Sequence, residues 1–310
     1  MEQMTSGDRI IILVGPTASG KTALAVAMAE RIGGEIVNAD SMQVYRRMDI
    51  GTAKPPPEVR RLVPHHLLDA VDPDEPYTAA DFVREARKAI ADIHGRGKRA
   101  IVSGGTGLYV KALTRGLVES PGGDETIRKE LKSLAAVEGK EALHRRLALI
   151  DPQTARRLHP NDQLRVTRAL EVYRITGRPL SELHGEHRFA VNSYACLKIG
   201  LAPDRSELYS NIDKRVEWMI GNGLVEEVKG LLSAGYCPLL KPMRSLGYRQ
   251  VCSFLAGEYS LDKAIELIKR DTRRYAKRQL TWFNQDREIK WIEYPVNVGM
   301  IVENANDFFY

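Results

Sequence analysis

A phosphate-binding loop is predicted near the start of the chain by the spacing of glycine, lysine and threonine. Glycines let the backbone wrap tightly, so that successive N–H groups converge on phosphate oxygens. The lysine ammonium adds positive charge, and the hydroxyl of the next residue can bind Mg²⁺. The alternative, a glycine-rich turn without function, is disfavoured by the strand and helix patterns on either side. The motif consists of Gly15, Pro16, Thr17, Ala18, Ser19, Gly20, Lys21 and Thr22, with Thr22 as the candidate metal ligand.

The loop indicates phosphate binding rather than one particular reaction. A kinase would use it to hold the phosphate being transferred, whereas another transferase could use it to hold a departing pyrophosphate. The predicted strand that ends in Ser103 carries no acidic residue of the type that binds metal in nucleotide hydrolases. This argues against ATP hydrolysis and leaves the other two reactions open.

Two further turns place useful side chains beside this loop. Asp40 follows the second predicted strand, and Thr106 lies in a glycine-rich turn after the third. Because the carboxyl ends of neighbouring parallel strands share one edge of a sheet, we expect both residues near the phosphate loop. Asp40 could instead cap a helix or stabilise a turn, and the second glycine-rich turn could serve packing alone.

Short apolar runs alternate with helical patterns early in the chain, which is typical of a parallel sheet covered by helices on both faces. From Glu125 to Glu186 the periodicity is helical throughout. We therefore predict an α/β fold: a P-loop NTPase-like parallel sheet flanked by helices, with an inserted all-helical domain. The predicted core spans 1–117 and 195–310, and the insertion spans 118–194.

The predicted elements follow from the length and composition of each run. Thr78 is expected to be a helix N-cap, and Gly33 to end the first helix. The predicted strands are Arg9–Val14, Glu35–Asn38, Ala100–Ser103 and Tyr194–Leu201, and the main helices are Lys21–Ile32, Thr78–His94, Ser206–Ala234 and Leu261–Asn284.

The composition is that of an ordinary globular protein, with 43% hydrophobic and 28% charged residues among 310. No apolar run is long enough to span a membrane, and the N-terminus lacks the pattern of a signal peptide. Cys196, Cys237 and Cys252 are far apart in sequence and predict neither a disulfide framework nor a zinc site. We therefore expect a cytoplasmic protein with reduced thiols and no membrane partner.

Positive charge is concentrated in the C-terminal third of the chain. The net charge is +6, and residues 241–290 hold 12 Lys and Arg against 6 Asp and Glu. Residues 271–284 interleave basic and aromatic side chains, a pattern that suits a nucleic-acid backbone but equally describes a solvated helix face with aromatic residues in the core. His65-His66 has no third ligand at metal-binding spacing, so we expect a structural pair. Met219 and Met243 are expected in the core.

Seven longer motifs run in order along nearly the whole chain. They are GPTASGKT (15–22), NADSMQVYRRMDIGTAKP (38–55), PHHLLD (64–69), SGGTGLY (103–109), NDQLRVTRALEVYRITGRP (161–179), MRSLGYRQ (243–250) and TRRYAKRQLTWF (272–283). Together they resemble the bacterial tRNA dimethylallyltransferase family far more specifically than the phosphate loop does alone. The resemblance implies transfer of a dimethylallyl group from its diphosphate to N6 of the adenosine 3′ of the anticodon, tRNA position 37, with release of pyrophosphate. Mg²⁺ is the implied cofactor, and the insertion is expected to hold the anticodon stem-loop.

The same resemblance implies roles for single residues. Asp40 matches the general base, Thr106 a residue that contacts the reacting adenosine, and Arg215 an arginine that holds the diphosphate. Arg215 could instead be a surface arginine, and Arg165, Arg168 and Asp162 could form ion pairs within one helix. The implied tRNA contacts are Asp40, Ser41, Met42, Gln43, Thr106, Arg128, Gln163, Arg165, Gly247, Tyr248, Arg249 and Gln250.

The expected partners are tRNA and dimethylallyl diphosphate, and we expect a monomer. A P-loop kinase acting on a small molecule or a nucleotide is the main alternative. A third possibility is a non-enzymatic RNA-binding switch that uses a nucleotide only to change its conformation.

Overall fold

The computed structural model describes residues 9–117, 121–187, 194–292 and 294–309. The chain divides into two compact units, one formed by Met1–Thr114 with Ser193–Tyr310 and the other by Arg115–Asn192. These limits lie within a few residues of the domain boundaries predicted from the sequence. Among the described residues, none of the helices combines the length and apolar character that a membrane span requires.

A six-stranded sheet forms the centre of the first unit, in the order β3-β2-β4-β1-β5-β6. Every pairing between these strands is parallel, and the central strand β1 lies between β4 and β5. Both faces of such a sheet are covered, so most strand residues are buried and apolar; the buried charged residues Glu35 and Lys198 are exceptions. The strands are β1 (Arg9–Val14), β2 (Gly34–Asn38), β3 (His65–His66), β4 (Arg99–Gly104), β5 (Ala195–Leu201) and β6 (Lys290–Ile292).

Helices cover the sheet and form all of the second unit's described regular structure. They are α1 (Lys21–Ile32), α2 (Pro57–Leu62), α3 (Ala79–Gly95), α4 (Gly107–Arg115), α5 (Glu125–Glu138), α6 (Lys140–Ile150), α7 (Pro152–Arg157), α8 (Gln163–Thr176), α9 (Leu180–His187), α10 (Arg205–Gly221), α11 (Leu224–Ser233), α12 (Tyr248–Leu255), α13 (Leu261–Phe283) and α14 (Val298–Phe309). The α/β fold with a helical insertion is therefore confirmed.

Local signals set the helix ends. Thr78 caps α3 through a reciprocal capping box with Asp81, and Gly33 ends α1 at a φ of 65°, both as predicted. The predicted stretch Ser206–Ala234 is not one helix but two, α10 and α11. The break falls at Gly223, whose φ of 97° is incompatible with a continuing right-handed helix.

Two apolar cores lie on opposite faces of the sheet. One is built between the sheet and α1 with α14, and includes Met28 and Ile101. The other lies beneath α3, α4 and the C-terminal helices, and includes Phe82 and Met243. Met219 and Met243 are 5% and 0% exposed, which confirms the prediction that both methionines belong to the core.

The second unit has its own core, centred on Leu143, Leu147 and Val166. Its fully buried Glu171 is bonded to Arg168 at 2.5 Å and to Arg128 at 2.8 Å, so the buried charge is compensated. Arg165 pairs with Asp162 at 2.5 Å, as the ion-pair interpretation of this helix predicted. Arg168 instead pairs with Glu171, outside that predicted set.

The turn after β4 approaches the end of β2 so closely that only glycine fits. A Cβ on Gly104 would overlap the backbone carbonyl of Ala39. That carbonyl also accepts the N–H of Thr106 at 3.2 Å. The carboxyl edge of the sheet is therefore fixed by a backbone contact between two neighbouring turns.

We expect Gly104→Ala to destabilise the protein by about 1–3 kcal/mol, because the added methyl must push two backbone segments apart. Chemical denaturation checks this value. Gly95→Ala is the matched control, since a Cβ at this helical position meets no atom within 4 Å. Equal stability of the Gly104→Ala variant and the control would contradict the close approach.

Candidate active site

The carboxyl edge of the sheet opens into a cavity of about 710 Å³ in the first unit. The phosphate loop, the turn after β2 and residues of α10, α12 and α13 form its wall. Residues that the sequence assigned to one site are thus brought together, although they come from distant parts of the chain. Those that line the cavity are Thr17, Lys21, Thr22, Asp40, Ser41, Met42, Gln43, Arg215, Gly247, Tyr248 and Arg249.

The phosphate loop joins β1 to α1 in a strained turn. Ala18 has a φ of 61° and Gly20 a φ of 75°, which curls the backbone around the start of the helix. Among the described residues, no acceptor is found for the N–H groups of Ser19, Gly20, Lys21 and Thr22. Together with the positive end of the α1 dipole, they form a ready anion site.

The lysine of the loop is folded back onto the loop itself. Lys21 Nζ donates to the Pro16 carbonyl at 2.5 Å and to Ser19 Oγ at 3.3 Å. Burial, together with the positive charge of Arg215, lowers the pKa of Lys21 to about 7, and the negative charge of Asp40 partly opposes both effects. The ammonium group therefore loses its proton far more readily here than in water.

Asp40 follows β2 directly and lines the cavity. Its Oδ1 accepts the N–H of Met42 at 2.8 Å, so the carboxylate does stabilise a turn. In the described part of the chain, no partner is found for its second oxygen. Thr106 Oγ1 accepts the N–H of Ser41 at 3.0 Å, which fixes the residue next to Asp40. Thr106 is not in the cavity wall but supports it.

Arg215 enters from α10, half-buried beside Asp40. Burial lowers the pKa of Arg215, and the charge of Asp40 offsets part of this change. Its guanidinium also reaches the carbonyl of Thr52 at 3.3 Å. Tyr275 of α13 lines the same cavity, and burial with the nearby Asp40 raises its pKa. Arg215 is thus a cavity residue rather than a surface arginine.

Gln43 offers one side of its amide to the cavity. Its Nε2 donates to the carbonyls of Thr52 at 3.0 Å and Ala53 at 3.2 Å, and its side chain is buried. Both donor hydrogens are therefore used within the protein. The Oε1 atom is left as an acceptor for a donor on a bound ligand.

A partly buried carboxylate, that of Glu227, joins the loop after β2 to the start of α12. Glu227 accepts the N–H groups of Asp49, Ile50 and Gly51 at 2.8, 2.7 and 3.1 Å, and the Tyr248 hydroxyl at 2.6 Å. Tyr248 is fully buried, and its ring lies against Gly51. Tyr248 therefore holds this wall of the cavity in place.

In the predicted 247–250 segment, Gln250 is a buried structural residue and Arg249 is exposed. Gln250 is buried, accepts the Gly247 N–H at 3.0 Å and donates to Asp271 at 3.0 Å. Arg249 is exposed and pairs with Asp271 at 3.1 Å. Gln250 lies outside the cavity wall, and its bond to the Gly247 N–H stabilises the turn that precedes Arg249.

Arginine side chains dominate the wall formed by α13 and the segment before α12. Asp271 is the carboxylate that faces them, at 3.0 Å from Arg270 and 3.6 Å from Arg274. Arg278 stacks over the Tyr275 ring, with its Cζ atom 5.8 Å from the ring centroid. Phe283 of the same helix is buried in the core, as the second interpretation of this basic helix predicted, while its arginines line the cavity. The arginines that line the cavity are Arg215, Arg244, Arg249, Arg270, Arg274 and Arg278.

Several cavity residues were not predicted. Asn38 and His65 lie on neighbouring strands at the cavity wall, and Asn38 Nδ2 and His65 Nε2 find no partner in the described chain. Burial lowers the pKa of His65, whose Nδ1 lies 2.8 Å from the Val63 carbonyl. His66 points elsewhere and meets Glu35 at 2.7 Å. The sequence predicts only a structural histidine pair here, and it gives no signal for the position of His65 at the cavity wall.

The other predicted tRNA contacts, Arg128, Gln163 and Arg165, belong to the second unit. Arg128 is bonded to the buried Glu171, and Gln163 Nε2 donates to the Pro160 carbonyl at 2.6 Å. Arg165 remains largely exposed despite its ion pair with Asp162. Of the two arginines, Arg165 has the more accessible charge, since its side chain is 63% exposed against 44% for Arg128.

The chain matches the family model described as IPP transferase over residues 43–286 and the model described as isopentenyl transferase over residues 8–72. The chain belongs to the IPP transferase family. It is 64% identical over 301 residues to a tRNA dimethylallyltransferase 2 of Geotalea uraniireducens, covering 97% of each chain. It is 61% identical over 302 residues to a tRNA dimethylallyltransferase of Geobacter metallireducens, covering 97% of this chain and 98% of that protein.

Solved structures of this family share the fold. A tRNA isopentenylpyrophosphate transferase from Bacillus halodurans is 39% identical, with a TM-score of 0.72 and 97% coverage of each chain. A eukaryotic dimethylallyltransferase acting on tRNA is 29% identical, with a TM-score of 0.82, covering 97% of this chain and 79% of that one. The P-loop NTPase-like fold is therefore common to a bacterial and a eukaryotic member.

We expect the affinity for inorganic pyrophosphate to fall as the pH rises above about 7, because the anion favours the protonated form of Lys21 and an unprotonated lysine must first gain a proton. Isothermal titration at several pH values measures this. Pyrophosphate itself gains and loses protons in the same pH range, so the pH dependence of its affinity for the Lys21→Met variant is measured as the baseline. A pH dependence identical in both proteins would contradict the lowered pKa of Lys21.

Proposed function

We propose that this protein transfers a dimethylallyl group from dimethylallyl diphosphate to N6 of the adenosine 3′ of the anticodon, tRNA position 37, and releases pyrophosphate. The observation that carries the proposal is that the phosphate loop and the Asp40 carboxylate face the same cavity. A leaving diphosphate and a base for the incoming nucleophile can thus be held within one cavity. Relatives of this chain named tRNA dimethylallyltransferase support the transfer of a dimethylallyl group to tRNA.

The proposed reaction is a displacement at the allylic carbon. The N6 lone pair forms a bond to C1 of the dimethylallyl group while the C1–O bond breaks, and the bonding electrons leave with pyrophosphate. N6 gives up one proton to the unpartnered oxygen of Asp40. An adenine amine is a weak nucleophile because its lone pair is delocalised into the ring, so a positioned base is required.

The cations of the cavity act on the leaving group. Negative charge grows on the diphosphate as the C1–O bond breaks, and it is stabilised by groups already fixed in place. The unpartnered N–H groups of residues 19–22 lie at the loop, and Lys21 and Arg215 lie beside it. The charge that these groups face is larger in the transition state than in the bound substrate, so they stabilise the transition state more.

Mg²⁺ fits this site as a partner of the substrate rather than of the protein alone. The described residues contain no cluster of three His, Cys, Asp or Glu side chains that could hold a metal. Thr22 lines the cavity at the start of α1, where its hydroxyl would complete a coordination shell made mainly of phosphate oxygens and water. The ion would add positive charge against the diphosphate.

Recognition of tRNA is proposed for two regions. The arginine wall of the cavity suits the backbone around an extruded adenosine, whose unstacking costs a few kcal/mol. Gln43 Oε1 could accept a hydrogen from the purine edge. We also propose that the helical unit, through Arg128, Gln163 and Arg165, contacts the anticodon stem-loop. A monomer in the cytoplasm suffices for this chemistry.

Incubating the protein with dimethylallyl diphosphate, Mg²⁺ and unmodified tRNA tests the proposal. Nuclease digestion and mass spectrometry should find one adenosine heavier by a dimethylallyl group at position 37. Consumption of ATP with a small-molecule acceptor, independent of tRNA, would instead establish a kinase. Binding of tRNA without any product would indicate an RNA-binding switch.

Asp40→Asn should lower kcat at least 100-fold, because an amide cannot accept the N6 proton. The affinity for tRNA, measured by filter binding, should change only a few-fold. Asp74→Asn, at an exposed aspartate away from the cavity, is the control and should keep full activity. Asp40 would not be the base if the Asp40→Asn variant retained activity within a few-fold.

The affinity for tRNA should fall steeply with salt, because phosphate contacts release counterions. Arg244 lines the cavity, is exposed, and forms no ion pair with any residue that the structure describes, so Arg244→Ala should reduce the slope of log K against log salt by about 1. Lys98→Ala, before β4 at the opposite edge of the sheet, should leave the slope unchanged. An unaltered slope for Arg244→Ala would remove Arg244 from the interface.

A further inference from the structure

One glutamine connects the two glycine-rich turns of the site. Gln279 Oε1 accepts the N–H of Thr17 in the phosphate loop at 2.8 Å, and its Nε2 donates to the carbonyl of Gly105 at 2.8 Å. Gln279 is 6% exposed; its bond to Gly105 is buried and its bond to Thr17 is partly buried. Because both ends of the amide are bonded at once, the side chain acts as a link of fixed length between the two turns.

The link continues to the proposed base. Thr106 follows Gly105, and it bonds to the carbonyl of Ala39 and the N–H of Ser41. These are the two residues that flank Asp40. A continuous path of hydrogen bonds and peptide units therefore runs from the phosphate loop through Gln279 to both sides of the carboxylate.

The position of the first bond leaves the phosphate site open. Thr17 lies at the base of the loop, before the unpartnered N–H groups of residues 19–22. Gln279 thus holds the loop without occupying the groups that would bind phosphate. A side chain that accepted an N–H group of residues 19–22 would instead compete with the anion for that group.

Gly105 leaves room for the Gln279 side chain. A Cβ on Gly105 would overlap the amide nitrogen of Gln279, and its next nearest neighbours are the glutamine Cδ at 3.5 Å and the Gly15 carbonyl at 3.8 Å. Gly105 has no positive φ that would itself require glycine. The absence of a side chain at this position is therefore explained by the space that Gln279 takes up.

We propose that Gln279 is a positioning residue that sets the distance between the diphosphate cradle and the Asp40 carboxylate. This inference rests on the proposed function. Loss of the link should misplace the donor carbon relative to the base, and a displacement of about 1 Å can slow such a reaction about 100-fold. Binding of each substrate alone should be affected far less, since its own contacts remain.

Gln279→Met keeps the length of the side chain but removes both hydrogen bonds. We expect kcat for prenyl transfer to fall 10- to 100-fold, with KM for dimethylallyl diphosphate and for tRNA changed less than 5-fold. Gln285→Met, at an exposed glutamine just beyond α13, is the matched control and should behave as the unaltered protein. Active-site titration with radiolabelled donor corrects kcat for any unfolded fraction.

A double-mutant cycle separates positioning from general loss of stability. Gly105→Ala alone should lower kcat as Gln279→Ala does, because the methyl displaces the amide. In the Gln279→Ala background, Gly105→Ala should lower kcat less than 2-fold, since the space that the glutamine amide filled is then empty. Additive losses in the cycle, or an unchanged kcat in Gln279→Met, would overturn the proposal. Absence of prenyl transfer by the unaltered protein would instead refute the proposed function itself.

Discussion

Lys21, Arg215 and Asp40 lie close together in the cavity beside the phosphate loop, and the excess of positive charge among these three groups is the constraint on which the rest of the site depends. Lys21 and Arg215 raise each other's electrostatic energy, and burial removes the water that would screen them. Asp40 offsets only part of this cost. The phosphate loop, with its free N–H groups, adds to the positive field. The folded chain is therefore arranged to gain stability from an anion that it does not itself supply.

The sequence predicted well those parts of the fold that depend on local patterns. The strands β1, β2, β4 and β5 are continuous buried runs, and their boundaries are correct to within a residue or two. The capping box of α3 and the phosphate loop are fixed by residues that are close in sequence. Since parallel strands end at a common edge, the position of Asp40 beside the loop followed from topology alone.

Long-range contacts could not be predicted in the same way. The strands β3 and β6 contain only two and three residues and exist because a neighbouring strand offers them an edge. Lys54 has a fully buried ammonium, bonded to Asp49 at 2.8 Å and to Asp69 at 2.6 Å. Glu227 and Gln279 similarly meet backbone groups far away in sequence, and neither has a periodic or motif signal of its own. Such residues become visible only when the chain is folded.

The long separation between Thr17 and Gln279 bears on how the protein is made. Their bond joins residues 262 positions apart, and the central strand β1 also needs β5, which follows the whole helical unit. A nascent chain leaves the ribosome with its phosphate loop first; β5 follows only after the whole helical unit, and Gln279 emerges near the end of translation. The catalytic centre is therefore among the last parts to be completed, and an incomplete chain carries a loop that cannot yet take its final shape.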